Sequence, residues 1–342
     1  MKAHLVYNPA ASETDYETPQ QILETLLSVG FEPVYRPTAD EEDLDRVLDA
    51  VEGGLVVVAG GDGTVRAVVE RARGRTMKMT VLPLGGANNI AKTLGLTGDV
   101  RDLIAGLADP RKRSFDVGRL QLPDGERLFL EGAGCGIFGN AFAAFHESEG
   151  EEGAGREEEE GLMEGGFTEG GFTEAVRTAV PGLDNDEEDD EEEGKDLIDS
   201  IEAGLAALDT QEPFHASVTV DGETFEGEFL SVEVMNTTVI GPNIELAPDA
   251  DPGDGLLDVV CIGPDAREEL RAFLQSLLDG EVGERPSVET MRGEEVRLTW
   301  TGLPLHYDAE VFPVDEGEEV SVTCQLHPGA IEVWIPHKEE GA

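Results

Sequence analysis

The segment Val56-Val57-Val58-Ala59-Gly60-Gly61-Asp62-Gly63-Thr64-Val65 has the residue types of an anion-binding turn. Its glycines let the backbone approach a polyphosphate closely, and the N–H groups that open the next helix have no intrahelical partner. Asp62, set among those glycines, could hold Mg²⁺ or orient a nucleotide. Alone, a glycine turn after a strand serves structure as often as ligand binding. A second segment, Val81-Leu82-Pro83-Leu84-Gly85-Gly86-Ala87-Asn88-Asn89-Ile90-Ala91, repeats the design one strand–helix unit later. Two such loops at the carboxyl ends of parallel strands face one crevice, where open α/β sheets bind ligands. Gly85, Gly86 and Asn88 are the candidates there, although Asn88 also suits a helix N-cap. Far along the chain, His306 stands beside Asp308. That pair has the types for acid–base work, but a strand histidine is more often structural. Trp300 and Trp334 read as core, and Asp221-Gly222 as a hairpin turn.

Alternating signals position the two loops. Ala3–Tyr7 reads as a strand, Gln20–Val29 as a helix stopped by Gly30, and Pro33–Tyr35 as a second strand. Thr38 stands three residues before Glu41, a capping-box spacing, ahead of the helical face Leu44, Val47, Leu48 and Val51. Leu55–Ala59 is a continuous run expected of a parallel strand buried on both faces. A helix over about 64–72 and the strand Met79–Pro83 follow. This order predicts an open parallel sheet with helices on both sides.

From Phe115 the texture becomes antiparallel. Gly118–Gln121 and Arg127–Leu130 pair around the turn at 123–126, and strands are expected at 215–220, 224–234, 257–262, 295–301, 320–325 and 331–335. One helix, about 265–278, interrupts them. The division expected is an α/β domain over 1–114 and a mostly antiparallel β-sandwich domain over 115–336. Within the second lies an acidic insert, about 147–210, with Glu157–Glu160 and the eight-acid block Asp186–Glu193. Such blocks are solvated or disordered segments, and the spacing matches no EF-hand. Helical periodicity frames it at 138–145 and 197–208.

The charge balance, 74 Asp+Glu against 24 Lys+Arg, gives a formal −50. Such a surface repels itself in dilute buffer, and molar salt, with a Debye length of about 3 Å, removes most of that penalty. Acids are spread through both flanks of the insert, which favours adaptation to a saline cytoplasm over a plain acidic protein at ordinary salt. The same charge speaks against nucleic acid and against electrostatic docking on an anionic membrane. Cys135, Cys261 and Cys324 are far apart and form no CxxC or Cys/His pattern, so they read as buried thiols in a reducing compartment. The start runs straight into a strand and no apolar run approaches about 20 residues. A cytoplasmic protein with at most peripheral membrane contact is expected.

Asn8-Pro9, the Gly-Gly-Asp-Gly-Thr loop and Pro-Leu-Gly-x-x-Asn-Asn together resemble the diacylglycerol kinase catalytic-domain family, which includes bacterial lipid kinases and sphingosine kinases. The likeness extends through Asn236-Thr237, the run Ala247–Val259 with its Asp-Gly-x-Leu-Asp-Val string, and Asp308-Ala309-Glu310. It covers nearly the whole chain apart from the insert. The resemblance implies ATP and Mg²⁺ as cofactors and a lipid alcohol at a membrane surface as acceptor, with a homodimer left open. It places Asn8, Thr38, Gly60, Gly61, Asp62, Gly63, Thr64, Val65 and Arg66 at nucleotide-contacting positions. Glu310 matches the general base for the lipid hydroxyl, with Asp308 as its partner. Asp251, Asp254 and the Leu256 backbone match a Mg²⁺ site of the bacterial members. Four departures stand out: Ala10-Ala11-Ser12 lacks a following glycine, Gly86 stands for a threonine, Asn89 for an aspartate, and Ala309 for a glycine. Alanine does not take positive φ cheaply, so the last departure is expected to reshape a turn. A soluble-metabolite kinase and a non-catalytic nucleotide- or metal-binding module are the alternatives.

Overall fold

A computed structural model describes residues 1–8, 18–36, 41–51, 53–72, 77–154, 190–281 and 283–337, without the side chains of 41–42, 147–154 and 190–197. Thr38, the segment after Asn8 and most of the acidic insert lie outside the described residues.

The first half is a parallel sheet, ordered β2-β1-β3-β4. Its strands are β1 (Lys2–Tyr7), β2 (Glu32–Tyr35), β3 (Leu55–Gly60) and β4 (Met77–Pro83). Every residue of β3 is buried, as a β-branched run covered on both faces requires. On one face Ala3, Leu5, Leu55 and Val57 pack against Ile22 and Leu26 of α1 (Pro19–Ser28) and Leu103 and Ile104 of α5 (Val100–Gly106). On the other, Val6, Val56 and Val58 meet Leu44 and Val47 of α2 (Glu41–Asp49) and Val65 and Val68 of α3 (Asp62–Ala72). A capping box starts α1: the Thr18 hydroxyl accepts from Gln21 N while the Gln21 side chain takes Thr18 N, with Pro19 in the first turn. α4 (Asn89–Thr93) is a short helix after the second glycine loop.

The second half is a β-sandwich. One wall is the antiparallel extension of the first sheet: β5 (Arg111–Leu122), β6 (Gly125–Phe129), β8 (Phe214–Val220), β9 (Glu223–Phe229), β15 (Glu295–Thr301) and β18 (Glu319–Ile335). The other is a six-stranded sheet, β14-β13-β10-β7-β16-β17. Its strands are β7 (Gly132–Gly136), β10 (Ser231–Met235), β13 (Leu257–Ile262), β14 (Glu289–Gly293), β16 (Leu305–Tyr307) and β17 (Glu310–Phe312). Val218, Leu298 and Val322 of the first wall and Val232, Val259 and Leu305 of the second share one core. Trp300 lies in that core and Trp334 in the core under α1, as read. Outside the six-stranded sheet pack α6 (Ile137–Ala154), α7 (Asp190–Thr210) and α8 (Arg267–Leu278), joined by Phe138, Ile201, Leu208, Leu270 and Phe273. The two-stranded ribbon β11 (Val239–Ile240) and β12 (Ile244–Glu245) completes the count among the described residues. The three cysteines are buried and free. No helix among the described residues is long and apolar enough to cross a membrane.

The two strands expected at 320–325 and 331–335 are one strand, β18, with a register shift between His327 and Ile331. Pro328-Gly329, between them, makes a bulge. Gly329 takes φ +62° and donates its N–H to Asp116 Oδ1 at 2.6 Å. The first part of β18 pairs with β15, and Ile331–Val333 run parallel beside Met77–Met79 of β4. β5 pairs with β18 along both parts. The last strand therefore completes the first sheet.

Candidate active site

The two glycine loops touch. A Cβ built on Gly85 would lie 2.4 Å from Gly61 Cα, and one on Gly60 would lie 2.6 Å from Thr64 Oγ1. Only glycine permits this approach. Asn8, at the end of β1, donates from Nδ2 to Thr64 Oγ1 at 3.1 Å, so the carboxyl ends of β1, β3 and β4 converge. Val65 is in the core, which leaves only its backbone for a ligand. Asn88 is not a side-chain N-cap. It sits at φ 49°, accepts from Gly85 N at 3.2 Å and donates back to the Gly85 and Gly86 carbonyls. The cap of α4 comes from Asp62 instead: Asn89 N donates to Oδ2 at 2.8 Å and Ile90 N to Oδ1 at 3.0 Å. Asp62 thus ties the first loop to the second. Burial pushes its carboxyl up to about 6, against the pull of those amides and of Lys92, with Asp308 adding to the rise.

Across from the loops stands the hairpin turn between β16 and β17. The buried Asp308 carboxylate accepts from three backbone amides: Leu130 N at 3.0 Å, Glu131 N at 2.8 Å and Gly132 N at 3.3 Å. Burial raises its carboxyl, while Arg66 and those amides hold it down. The turn places Asp308, not Ala309, at positive φ (50°). The alanine therefore carries no left-handed strain, and the departure from glycine is cheap.

Arg66, on α3 in the first half, joins the two sides. Its Nη1 is 3.6 Å from Glu310 Oε1, its Nε 3.9 Å from Asp308 Oδ2 and 3.0 Å from Glu70 Oε1, and its guanidinium lies 5.2 Å from the Tyr307 ring centre. Burial disfavours its charge, but Asp308, Glu70 and Glu310 outweigh that and raise its pKa. The Glu310 side chain is 58% exposed, open to an incoming group.

Sequence reasoning missed Glu131. It is buried, its N–H goes to Asp308, and Oε2 accepts from Asn89 Nδ2 at 2.7 Å. Asn236 N and Thr237 N both donate to its carbonyl, at 2.8 and 3.1 Å. Burial, then Asp62 and Asp308, raise its carboxyl well above the usual range. The available signal was a lone acid inside the apolar run Phe129-Leu130-Glu131-Gly132-Ala133. Asn89, standing for an aspartate, acts here as a donor to a carboxylate and to the Gly241 carbonyl at 2.8 Å. Two histidines hold the turn from behind. His146 Nε2 is 2.7 Å from the Ala309 carbonyl oxygen, and His306 Nδ1 is 3.3 Å from that of Asp308. The buried His306 Nε2 also meets Glu233 Oε2 at 2.7 Å.

Asp251 and Asp254 lie elsewhere, each with an arginine. Arg113 pairs with Asp251, and Arg292 pairs with Asp254 and with Asp258 at 2.9 Å. Leu256 N donates to Asp254 Oδ1 at 2.9 Å. Each of these two carboxylates is thus already partly neutralised by an arginine. No group of three or more His, Cys, Asp or Glu set to hold a metal occurs among the described residues. Mg²⁺ carried by phosphates needs only one or two carboxylates, and Asp62 retains lone pairs for that.

Beside the turn opens a small apolar recess of about 20 Å³, lined by Phe138, Phe142, Phe145, Ile240, Pro242 and Ile244 among others. Phe142 lies 4.8 Å from the His306 ring, and Gly241, also on the recess, receives the Asn89 bond.

A parallel α/β sheet fused to an antiparallel sandwich, with acids of the sandwich facing glycine loops of the sheet, is the architecture of a two-part phosphotransferase. Residues 2–120 match the diacylglycerol kinase catalytic domain, and residues 195–335 match the YegS C-terminal NAD kinase beta sandwich-like domain. Over its first third the chain is thus similar to the diacylglycerol kinase catalytic-domain family, and beyond the insert to the YegS C-terminal domain. It is 27% identical over 318 residues to a "Probable lipid kinase YegS-like" of Pseudomonas syringae pv. tomato, covering 90% of this chain and 85% of that one. It is 23% identical to a "Diacylglycerol kinase" of Mycobacterium tuberculosis, covering 82% and 76%. In fold it is similar to a diacylglycerol kinase from Bacillus anthracis str. Sterne, with TM-score 0.64, 18% identity and coverage of 98% and 97%.

Proposed function

We propose that this lipid kinase-like enzyme transfers the γ-phosphoryl group of ATP to a hydroxyl of a diacylglycerol-like lipid. The observation that carries the reading is Arg66, which leaves the glycine-loop helix and ends between Asp308 and Glu310. Nucleotide and base sites therefore share one crevice between 1–114 and 115–336. The backbone of Gly60, Gly61, Gly63 and Thr64, with Asn8, Gly85, Gly86 and Asn88, cradles the nucleotide. Asp62 would hold Mg²⁺, which when bound would supply charge neutralisation at the phosphates. Arg66 orients the turn and adds positive charge where negative charge builds. Glu310 takes the acceptor's hydroxyl proton, the oxygen bonds to the γ-phosphorus, and the bond to the β–γ bridging oxygen breaks, leaving ADP.

The three phenylalanines beside the same turn favour an apolar acceptor over a charged small metabolite, and the recess would have to widen to admit an acyl chain. The enzyme would work in the cytoplasm at a membrane face, with high salt screening its repulsion from anionic lipid. Labelled ATP incubated with diacylglycerol vesicles and with a total lipid extract in molar KCl tests the reading. A labelled phospholipid is expected, and its loss in Glu310→Gln. Turnover of that variant at the wild-type rate removes Glu310 from the mechanism. Label passing only to a water-soluble acceptor favours the metabolite kinase.

A further inference from the structure

A second cavity lies on the α2 side of the parallel sheet, in a part of the molecule the proposed mechanism does not use. Lys2 and His4 of β1, Val34 of β2 with the following Arg36, and Val47 and Ala50 from α2 and its end line it, around about 100 Å³. By this measure one water needs about 10–15 Å³, so the space takes several waters or one tetrahedral oxyanion. The strand period of two puts Lys2, His4, Val34 and Arg36 on one side, and the parallel register sets His4 beside Val34.

The lining is anomalous in two ways. His4 is 4% exposed, and its Nε2 is buried with no hydrogen-bond partner among the described residues. Buried polar atoms of that kind are rare and call for an explanation. The ring packs its Cδ2–Nε2 edge against Gly54, where a Cβ would lie 3.0 Å from His4 Cδ2 and 3.2 Å from Nε2. The second anomaly is charge. In a chain with 74 acids and 24 bases, the two charged side chains that line this cavity among the described residues are both cations. After burial, Lys2 and then Arg36 are what depress the His4 pKa. Glu32, in register with Lys2, is the nearest acid along the strands and does not line the cavity.

We propose that this cavity is a binding site for a phosphate-class oxyanion, with His4 as its buried donor and Lys2 and Arg36 as its charged walls. Two cations and one directed N–H suit an oxyanion with several terminal oxygens better than chloride. The nucleotide's phosphates do not reach it. His4 precedes Asn8 by four residues of strand, about 13 Å, and the glycine loops lie at the Asn8 end. The occupant is therefore a free phosphate or the head of a phosphomonoester.

The test is calorimetric titration of the full chain with inorganic phosphate and with glycerol 3-phosphate in molar KCl, beside thermal unfolding in the same series. Extra KCl at matched ionic strength is the control. Saturable one-to-one binding is expected, with a rise in Tm that follows from mass action on the folded state. Lys2→Gln/Arg36→Gln alters two exposed residues and should fold. It should weaken phosphate at least tenfold, whereas Lys112→Gln, an exposed lysine elsewhere, should not. Phosphate binding without glycerol 3-phosphate binding identifies the free ion. Binding of both identifies a monoester head with its tail in the open mouth. Binding unchanged in the double variant but abolished by saturating ADP would assign the anion to the glycine loops and overturn the proposal. So would an effect no larger than that of KCl.

Discussion

Replacing Asp308 with alanine separates its structural work from any part in chemistry. The substitution leaves the amides of Leu130, Glu131 and Gly132 without their acceptor in a buried turn. Each orphaned donor costs about 1–3 kcal/mol, so the sum is about 3–6 kcal/mol if the three are not fully additive. The residue also sits at φ 50°, where alanine adds about 1 kcal/mol that aspartate, an occasional visitor, largely avoids. Against a typical total of about 5–15 kcal/mol, this is a large share. Urea unfolding in molar KCl should rank wild type above Asp308→Asn, then Gly, then Ala. Asparagine keeps one oxygen to accept, glycine removes only the φ penalty, and alanine suffers both losses. At about 2–4 °C per kcal/mol for a chain of this size class, Asp308→Ala should lower Tm by roughly 10 °C or more. A loss under about 1 kcal/mol would mean that water reaches the three amides, and the buried knot would not exist.

Asp62 titrates near 6, above its unfolded value of 3.8. Its contribution to stability is therefore present below pH 3.8 and lost as pH rises through about 6, and the difference in urea midpoint between wild type and Asp62→Asn should follow that slope between pH 4 and 7. Activity should run the other way, falling below pH 6 as the carboxylate protonates. Gly85→Ala should cut turnover by about 100-fold or more, because its Cβ would meet Gly61 Cα at 2.4 Å and force the loops apart. An unchanged KM for ATP together with unchanged turnover would refute the contact. His146→Ala should lower kcat about tenfold with little change in KM or Tm, and His146→Gln, which can still donate to the Ala309 carbonyl, should restore most of it. Tm should rise steeply from dilute buffer to molar KCl, as self-repulsion from the net −50 is screened. A flat response would sink the salt adaptation.

The glycine loops were legible because their signals are local: a β-branched run, then glycines, then a helix start. Their mutual contact was not, since nothing in the spacing tells that Gly61 and Gly85 meet backbone to backbone. Glu131 was harder still, because its partners Asn89 and Asp308 lie 42 and 177 residues away. β7 was missed because Gly-Ala-Gly-Cys-Gly has weak strand propensity. The glycines are there for space, as a Cβ on Gly134 would fall 1.9 Å from Glu233 Oε2. The strain anticipated at Ala309 falls instead on Asp308, whose φ depends on the hairpin geometry and not on the residue pair alone. The strands expected at 320–325 and 331–335 are one for a related reason: Asp116 and the neighbouring strands, far off in sequence, hold the chain through the bulge at Gly329.

The path of β18 bears on how the chain is made. Strand β4 gains its neighbour from Ile331–Val333, about 250 residues later in the chain. At roughly 5–20 residues per second, the ribosome needs about 12–50 s to supply it. Throughout that interval the nucleotide-side sheet would carry an open, hydrophobic edge along β4, the kind that recruits strands from other chains. A nascent chain stopped before Ile331 should accordingly be cleaved faster by protease than the full chain. Until the edge is closed, the self-repulsion of so acidic a polypeptide would keep neighbouring nascent chains apart, a solubilising role during synthesis that the finished fold no longer needs.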